Sequence, residues 1–174
     1  MKKLVITLLC SAPMFAQAPD YTTNTSSARS LQGNVLSLIT RSAEKMNAEN
    51  YSFKPTPEVR SFGQIIGHIA DAQYLFCAPV LGEKKAPAPG VEKGKTTKAE
   101  LLVALKTAFD YCDQAYKAIT EPNASEKVSF FGGDRTNLSV LSFNTMHLYE
   151  HYGNLVTYMR LKGVVPPSSE PRKP

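Results

Sequence analysis

The chain has 174 residues, of which 43% are apolar and 20% charged, with a formal net charge of +5. That length suits one domain with a substantial core, and the apolar share excludes a disordered chain. The charge is modest, and its basic residues are not interleaved with aromatic ones, which argues against a nucleic-acid-binding surface.

The first 18 residues, MKKLVITLLCSAPMFAQA, place two lysines ahead of a short apolar run and then small residues. This is the pattern of a secretory leader, and the run is too short to span a bilayer as a mature helix. An A-x-A site ends at Ala18, but Pro19 disfavours that cut, so cleavage after Ala16 is the alternative. Cys10 raises the reading of a lipoprotein anchor, which Leu9, large at a position that needs a small residue, argues against. The leader predicts an exported protein, periplasmic or secreted, with no membrane span once the leader is removed. Losing Lys2 and Lys3 lowers the net charge from +5 to +3. The folded domain is then expected over 19–169, with 170–174 as a disordered tail.

A first helix is expected from about Ser26 to Met46, where Leu31, Val35, Leu38, Ile39 and Met46 recur at helical spacing behind the capping candidates Asn24, Thr25 and Ser26. The second is expected to start at Pro57 with Thr56 as its cap, to carry Phe62, Ile65, Ile66, Ile69, Leu75 and Phe76, and to stop before Pro79. Residues 82–96 are rich in glycine, proline and lysine and read as a solvated surface crossover. Thr97 and Glu100 form a capping box for a third helix, which Pro122 should end. NASEKVSFFGGDRT reads as a loop that turns at Gly132 and Gly133. The fourth helix is expected from near Asn137 to about Lys162, with Gly163 as C-cap and Pro166 and Pro167 blocking continuation. The remainder, SSEPRKP, should be mobile. No segment alternates as a strand, so the expected fold is all-α, a four-helix bundle with long crossover connections.

Cys77 and Cys112 remain once the leader is gone. An exported chain can keep a disulfide, so the two either pair or sit as small buried hydrophobes. Pairing requires Cα atoms within about 7 Å.

The chemistry concentrates in MHLYEHYGN, residues 146–154. At about 100° per residue, His147 and His151 lie about 40° apart on one helix face, beside an apolar arc that includes Leu148, Tyr152 and Leu155. The third histidine, His68 in GQIIGHIADAQ, is flanked on its own face by Ile65, Ala72 and Leu75. Three inward imidazoles on two helices can converge on a divalent transition metal such as zinc, nickel or iron, and leave a coordination position for water or substrate. The alternative is that each is a hydrogen-bonded core histidine.

HLYEH also fits the inverted zinc-protease pattern H-x-x-E-H, which needs an acidic ligand well downstream. Only Glu170 follows His151 among the acids, in the expected tail, and the chain is short for such an enzyme. Glu150 lies about 60° round the helix from His147 and is a weak catalytic candidate, as a base or a partner to a ligand, against a plain surface role. Asp71, one turn beyond His68, is the other, as an acid that orients a ligand imidazole, against a surface ion pair. Gln64 and Asn144 are lesser candidates, and Tyr74, Tyr149 and Tyr152 read as packing residues. No serine or cysteine has the motif of a catalytic nucleophile.

YSFKPTPEVRSFGQIIGHIADAQYLFC, FNTMHLYEHYGNLVTYMR and LKGVVPPSS together resemble the DinB/YfiT-like superfamily of metalloenzymes, in its exported subgroup, over about Ser26 to Ser169. The resemblance implies a bundle with helices in up-down-down-up order, often dimeric, and a metal triad at His68, His147 and His151. Members with known activity include transferases that use low-molecular-weight thiols such as bacillithiol, and a mycothiol-dependent isomerase, while many members have no known reaction. It therefore implies a thiol-dependent transferase, in which the metal lowers a thiol's pKa and the thiolate attacks an electrophile; a hydrolase using metal-activated water is the other chemistry that an open three-histidine site permits. Cytosolic thiols are scarce outside the cell, which fits an exported transferase poorly. The alternatives are a non-catalytic module that binds a metal or small molecule, and a dimerisation bundle in which the histidines only pack. The substrate class expected is a small molecule, not nucleic acid.

Overall fold

The computed structural model describes residues 20–171, so the expected leader and the last three residues of the expected tail lie outside the described residues. Among the described residues, nine short and long elements follow one another. They are α1 (Asn24–Lys45), a 3-10 turn (Ala48–Ser52), α2 (Phe62–Val80), α3 (Val91–Gly94), α4 (Lys98–Ala118), β1 (Lys127–Phe130), β2 (Gly133–Thr136), α5 (Asn137–Leu161) and a final 3-10 turn (Pro167–Ser169). The four long helices are the bundle that the periodicity predicts.

Capping sets where the helices begin. Thr23, Ser61 and Thr97 each accept a backbone N–H three residues on, and Ser26, Gln64 and Glu100 each reach back to the cap, so α1, α2 and α4 all open on reciprocal capping boxes. For α2 this corrects the expected start: Pro57 stays in the preceding loop, and the Ser61–Gln64 box sets the first turn five residues later. The Phe62 N–H donates to the Phe53 carbonyl at 3.0 Å, which ties that loop back on itself. Pro79 does not stop α2 before it. It lies one residue from the helix end at Val80, where it removes one hydrogen bond and has almost no helix left to break. At the other end of the bundle α5 closes as expected, with Gly163 at φ 70°. The Val164 N–H donates to the Met159 carbonyl and the Gly163 N–H to the Arg160 carbonyl, the two bonds of a Schellman stop.

Residue pairs between helices give the topology. Gly63 lies against Leu101 and Cys77 is bonded to Cys112, so α2 and α4 run parallel. Asn34 donates to the Tyr149 hydroxyl, and Lys45 near the end of α1 pairs with Glu170 beyond α5, so α1 and α5 run parallel. Lys98 at the start of α4 donates to the Glu44 and Met46 carbonyls at the end of α1, and Tyr158 late in α5 donates to the Arg60 carbonyl ahead of α2. Those two pairs are antiparallel. The order is up-down-down-up. Parallel neighbours cannot be joined by a tight turn, which is why residues 81–97 form a long crossover.

Three expectations for the connections change. The crossover contains the helical turn α3, whose Val91 is buried at 3% exposure. Segment 127–136 is an antiparallel hairpin, with Phe130 paired to Gly133 across Phe131 and Gly132. Both turn residues have positive φ, 49° and 74°, which matches the right-handed twist of the strands. Strands of four residues are too short to show an alternating pattern, and the turn sits one residue earlier than the glycine pair suggests. Finally, Glu170 is not part of a loose tail: it pairs with both Arg41 and Lys45 on α1.

Ile39, Ile66, Ile69, Leu101, Leu148 and Leu155 fill the core. A second apolar cluster surrounds Cys77, Cys112, Tyr116, Phe130 and Leu141. Between them in chain order are Gln73 and Asn144, both fully buried and paired amide to amide at 3.2 Å in both directions. The Asn144 amide also faces the Cys112 sulfur at 3.3 Å. Cys77 and Cys112 form a disulfide with Cα atoms 5.3 Å apart, which decides between the two sequence readings.

The disulfide closes a span of 35 residues that includes the crossover. Replacing both cysteines by alanine should cost about 2–4 kcal/mol of unfolding free energy. Urea denaturation of the oxidised wild type against the double variant measures this; coincident transitions would contradict it.

Candidate metal centre

α2 and α5 face each other in antiparallel register, with His68 opposite the His147–His151 pair. The His68 Nε2 lies 3.2 Å from the His147 Nε2, and the His151 Nε2 lies 3.0 Å from the same atom. Among the described residues these three form the one cluster of histidine, cysteine or acidic groups able to share a cation, with ligand atoms all within 4.8 Å of one another. His151 is 6% exposed, while His68 and His147 are half-buried, so the cluster opens to solvent on one side.

The donor set fits a metal. An imidazole nitrogen has one in-plane proton or one in-plane lone pair, so the His147 Nε2 cannot make two well-directed hydrogen bonds with its two neighbours. A shared cation takes a lone pair from each. Tetrahedral zinc–nitrogen bonds of about 2.0–2.1 Å set ligand nitrogens about 3.3–3.4 Å apart, close to the 3.2 and 3.0 Å that separate the His147 Nε2 from its two neighbours. Burial, and then the neighbouring His68, holds the His147 imidazole below the usual histidine range. Burial, followed by His147 and His68, pushes His151 down to about 3. Both rings are therefore neutral near pH 7, the form that donates to a metal.

The surroundings hold the rings in place. The His68 Nδ1 is 3.2 Å from the Glu92 carboxylate, whose other oxygen accepts from the Arg60 Nε at 2.9 Å. A carboxylate accepts, so the His68 Nδ1 carries the proton and its Nε2 presents the lone pair. The His151 Nδ1 faces the Asn154 amide at 3.4 Å. Phe76 packs against the His147 ring with centroids 5.3 Å apart, and the His147 Nδ1 is buried without a hydrogen-bond partner. A cleft of about 580 Å³ opens beside His151, lined among others by Glu58, Arg60, Glu150, Asn154 and Tyr158.

The three sequence-expected histidines therefore meet. Glu150 is exposed and lines the cleft, within reach of anything bound beside His151. Asp71 does not orient an imidazole directly. Its two carboxylate oxygens accept the backbone N–H groups of Val91 and Glu92, at 2.8 and 3.0 Å. Glu170 is held on α1, away from the histidines, and the third member of the cluster is His68. Gln64 caps α2, Asn144 serves the buried amide pair, and the Tyr152 hydroxyl accepts from the Ser168 N–H. Tyr149 accepts from Asn34, and Tyr74 packs on Tyr111. Glu92 was missed because it lies in the lysine-rich stretch that reads as a solvated linker. The signal for it was Gly67, one position before His68: a Cβ there would lie 2.6 Å from the Glu92 Cα, so something must approach α2 closely at that point.

The sequence pattern of the DinB superfamily matches residues 35–155. An uncharacterised protein, YjoA of Bacillus subtilis (strain 168), is 31% identical over 124 residues, covering 70% of this chain and 79% of that protein. The crystal structure of this DinB-like protein superposes with a TM-score of 0.65 at 21% structure-based identity, covering 84% of this chain and 99% of that one. YfiT of Bacillus subtilis, described as a probable metal-dependent hydrolase with an unusual four-helix bundle topology, superposes with a TM-score of 0.63 at 13% identity, over 86% and 94% of the two chains. A mycothiol-dependent maleylpyruvate isomerase superposes at 0.62 with 14% identity, over 75% of this chain and 60% of that one. The last two likenesses concern the fold.

The depressed histidines have a consequence for stability. His151 titrates near its ordinary 6.5 in the unfolded chain but only near about 3 when folded. The unfolded state therefore binds more protons as pH falls below 6.5, and stability that is complete above that value is lost progressively below it. Between pH 7 and 5, above the carboxylate range, His151 alone should remove about 2 kcal/mol from the metal-free protein. Denaturation midpoints at the two pH values, in wild type and in His151→Leu, measure this; equal pH slopes in the two proteins would refute it.

Proposed function

The chain belongs to the DinB superfamily, and on that premise we propose that His68, His147 and His151 hold a divalent transition metal (zinc, nickel or iron) at the centre of a small-molecule enzyme, most simply a hydrolase. The observation that carries this reading is the three Nε2 atoms turned toward one another at one half-open point between α2 and α5. Three protein nitrogens leave a position for water or substrate. A divalent cation there supplies Lewis acidity, which lowers the pKa of a water or thiol that reaches it.

The chain's own residues then divide the work. Glu92 holds the proton on the His68 Nδ1, so that the Nε2 lone pair faces the centre. The Asn154 Nδ2 lies 3.4 Å from the His151 Nδ1, and turning that amide over to present its carbonyl oxygen would fix the ring in the same sense. Glu150, on the cleft wall beside His151, is placed to accept a proton from a nucleophile in the cleft. Burial of His151 and the Phe76 ring against His147 keep bulk water from the inner side.

Hydrolysis is preferred to thiol transfer because of compartment. The leader pattern points to export, and the Cys77–Cys112 disulfide suits an oxidising environment, where low-molecular-weight thiols are scarce. The description of YfiT as a probable metal-dependent hydrolase supports the same choice, and the mycothiol-dependent isomerase keeps thiol chemistry as the other branch. A non-catalytic binding module is the remaining reading.

Elemental analysis of the purified protein should find about one metal ion per chain, lost in His68→Ala and in His151→Ala. Metal content unchanged by both substitutions would remove the assignment. Ester, amide and thiol-transfer substrates assayed with and without metal separate enzyme from binding module: turnover that needs both the metal and His147 supports the former, and its absence across the panel supports the latter.

A further inference from the structure

The crossover contributes to the centre in a way that its composition hides. Glu92 sits in α3, 24 residues from His68 in the chain, yet its carboxylate lies 3.2 Å from the ring's Nδ1. Four features fix it there. The two Asp71 carboxylate oxygens accept the N–H groups of Val91 and Glu92. Gly67 lets the Glu92 backbone touch α2, since a Cβ at 67 would meet the Glu92 Cα at 2.6 Å and its N at 2.9 Å. The Val91 side chain is buried beneath the turn. Arg60, from the loop ahead of α2, holds the second carboxylate oxygen.

We infer that Glu92 is a positioning residue for the metal centre, acting through His68, and that docking of the 81–97 crossover and occupancy of the three-histidine site favour each other. This rests on the proposed metal reading. A neutral imidazole carries its proton on either nitrogen, and only one tautomer of His68 offers a lone pair at Nε2. An anionic acceptor at Nδ1 selects that tautomer and makes the ring a better donor. Thermodynamic linkage makes the effect reciprocal: whatever the docked crossover adds to metal affinity, the bound metal returns to crossover docking. Asp71 and Gly67 then act one step further out, by placing Glu92.

The test uses the full chain freed of metal, with zinc as the probe. Competition against a chromophoric chelator gives zinc affinity for wild type, Glu92→Gln and Glu92→Ala, and trypsin digestion with and without zinc follows cleavage at Lys93 and Lys95. Expected are a loss of affinity of about 10–100-fold in Glu92→Gln, at least as large in Glu92→Ala, and severalfold protection of the crossover by zinc in wild type only. Gly67→Ala, which keeps the carboxylate but displaces its backbone, should move affinity the same way. A merely structural role would lower the melting temperature of metal-free Glu92→Gln while leaving zinc affinity within twofold of wild type, and that result overturns the inference alone. No zinc binding by wild type overturns the proposed metal centre and this inference with it.

Discussion

The arrangement depends on one approach: the close, antiparallel meeting of α2 and α5 that sets the His68 ring against His147 and His151. Three nitrogens, two of them within hydrogen-bond length of the His147 Nε2 between them, make a poor hydrogen-bond network, because each has a single in-plane direction to offer. They make a good ligand set. The His147 and His151 rings are kept from protonating by the same packing that brings them together, so burial and donor chemistry work in one direction.

The up-down-down-up order has a chemical consequence. Because α2 and α4 run parallel, the chain must travel the length of the bundle between them, and that return path passes the outer side of His68. A tight hairpin between antiparallel helices would have left that side bare. The topology therefore supplies a carboxylate to the histidine from a segment that otherwise resembles a solvated spacer. Gly67 and Asp71 on α2 are the matching surface, one giving room and the other giving two backbone hydrogen bonds.

Further along the bundle, away from the triad, the chain is held by different means. The disulfide ties the parallel pair, the Gln73–Asn144 amides satisfy each other beside it, and the hairpin lays Phe130 against Phe76, with ring centroids 5.3 Å apart. Phe76 also touches His147, so the second apolar cluster and the histidine site share a wall. The Gln73 and Asn144 amides and the Tyr116 hydroxyl are each partnered here, which matters because unpaired polar groups in such a setting are costly.

Much of this was legible in the residues alone. Helical periodicity marked four helices, the Thr97–Glu100 pair and Gly163 marked one start and one stop, and the four-residue spacing of His147 and His151 put both rings on one face. These are local properties, written in a period of 3.6 residues and in caps that span three or four positions. The α2 start was misplaced because Pro57 and Ser61 are both acceptable openings, and only the loop's hydrogen bond from Phe62 to Phe53 selects between them. The hairpin was unreadable because four residues show no period. Glu92 and the Cys77–Cys112 bond depend on which segments meet in space. The sequence by itself determined the helices, the inward faces of the three histidines and the family; the tertiary structure alone decided that Glu92 reaches His68, that Asp71 serves the crossover and that the cysteines join, because contacts between distant segments are set by how helices pack and not by any local pattern.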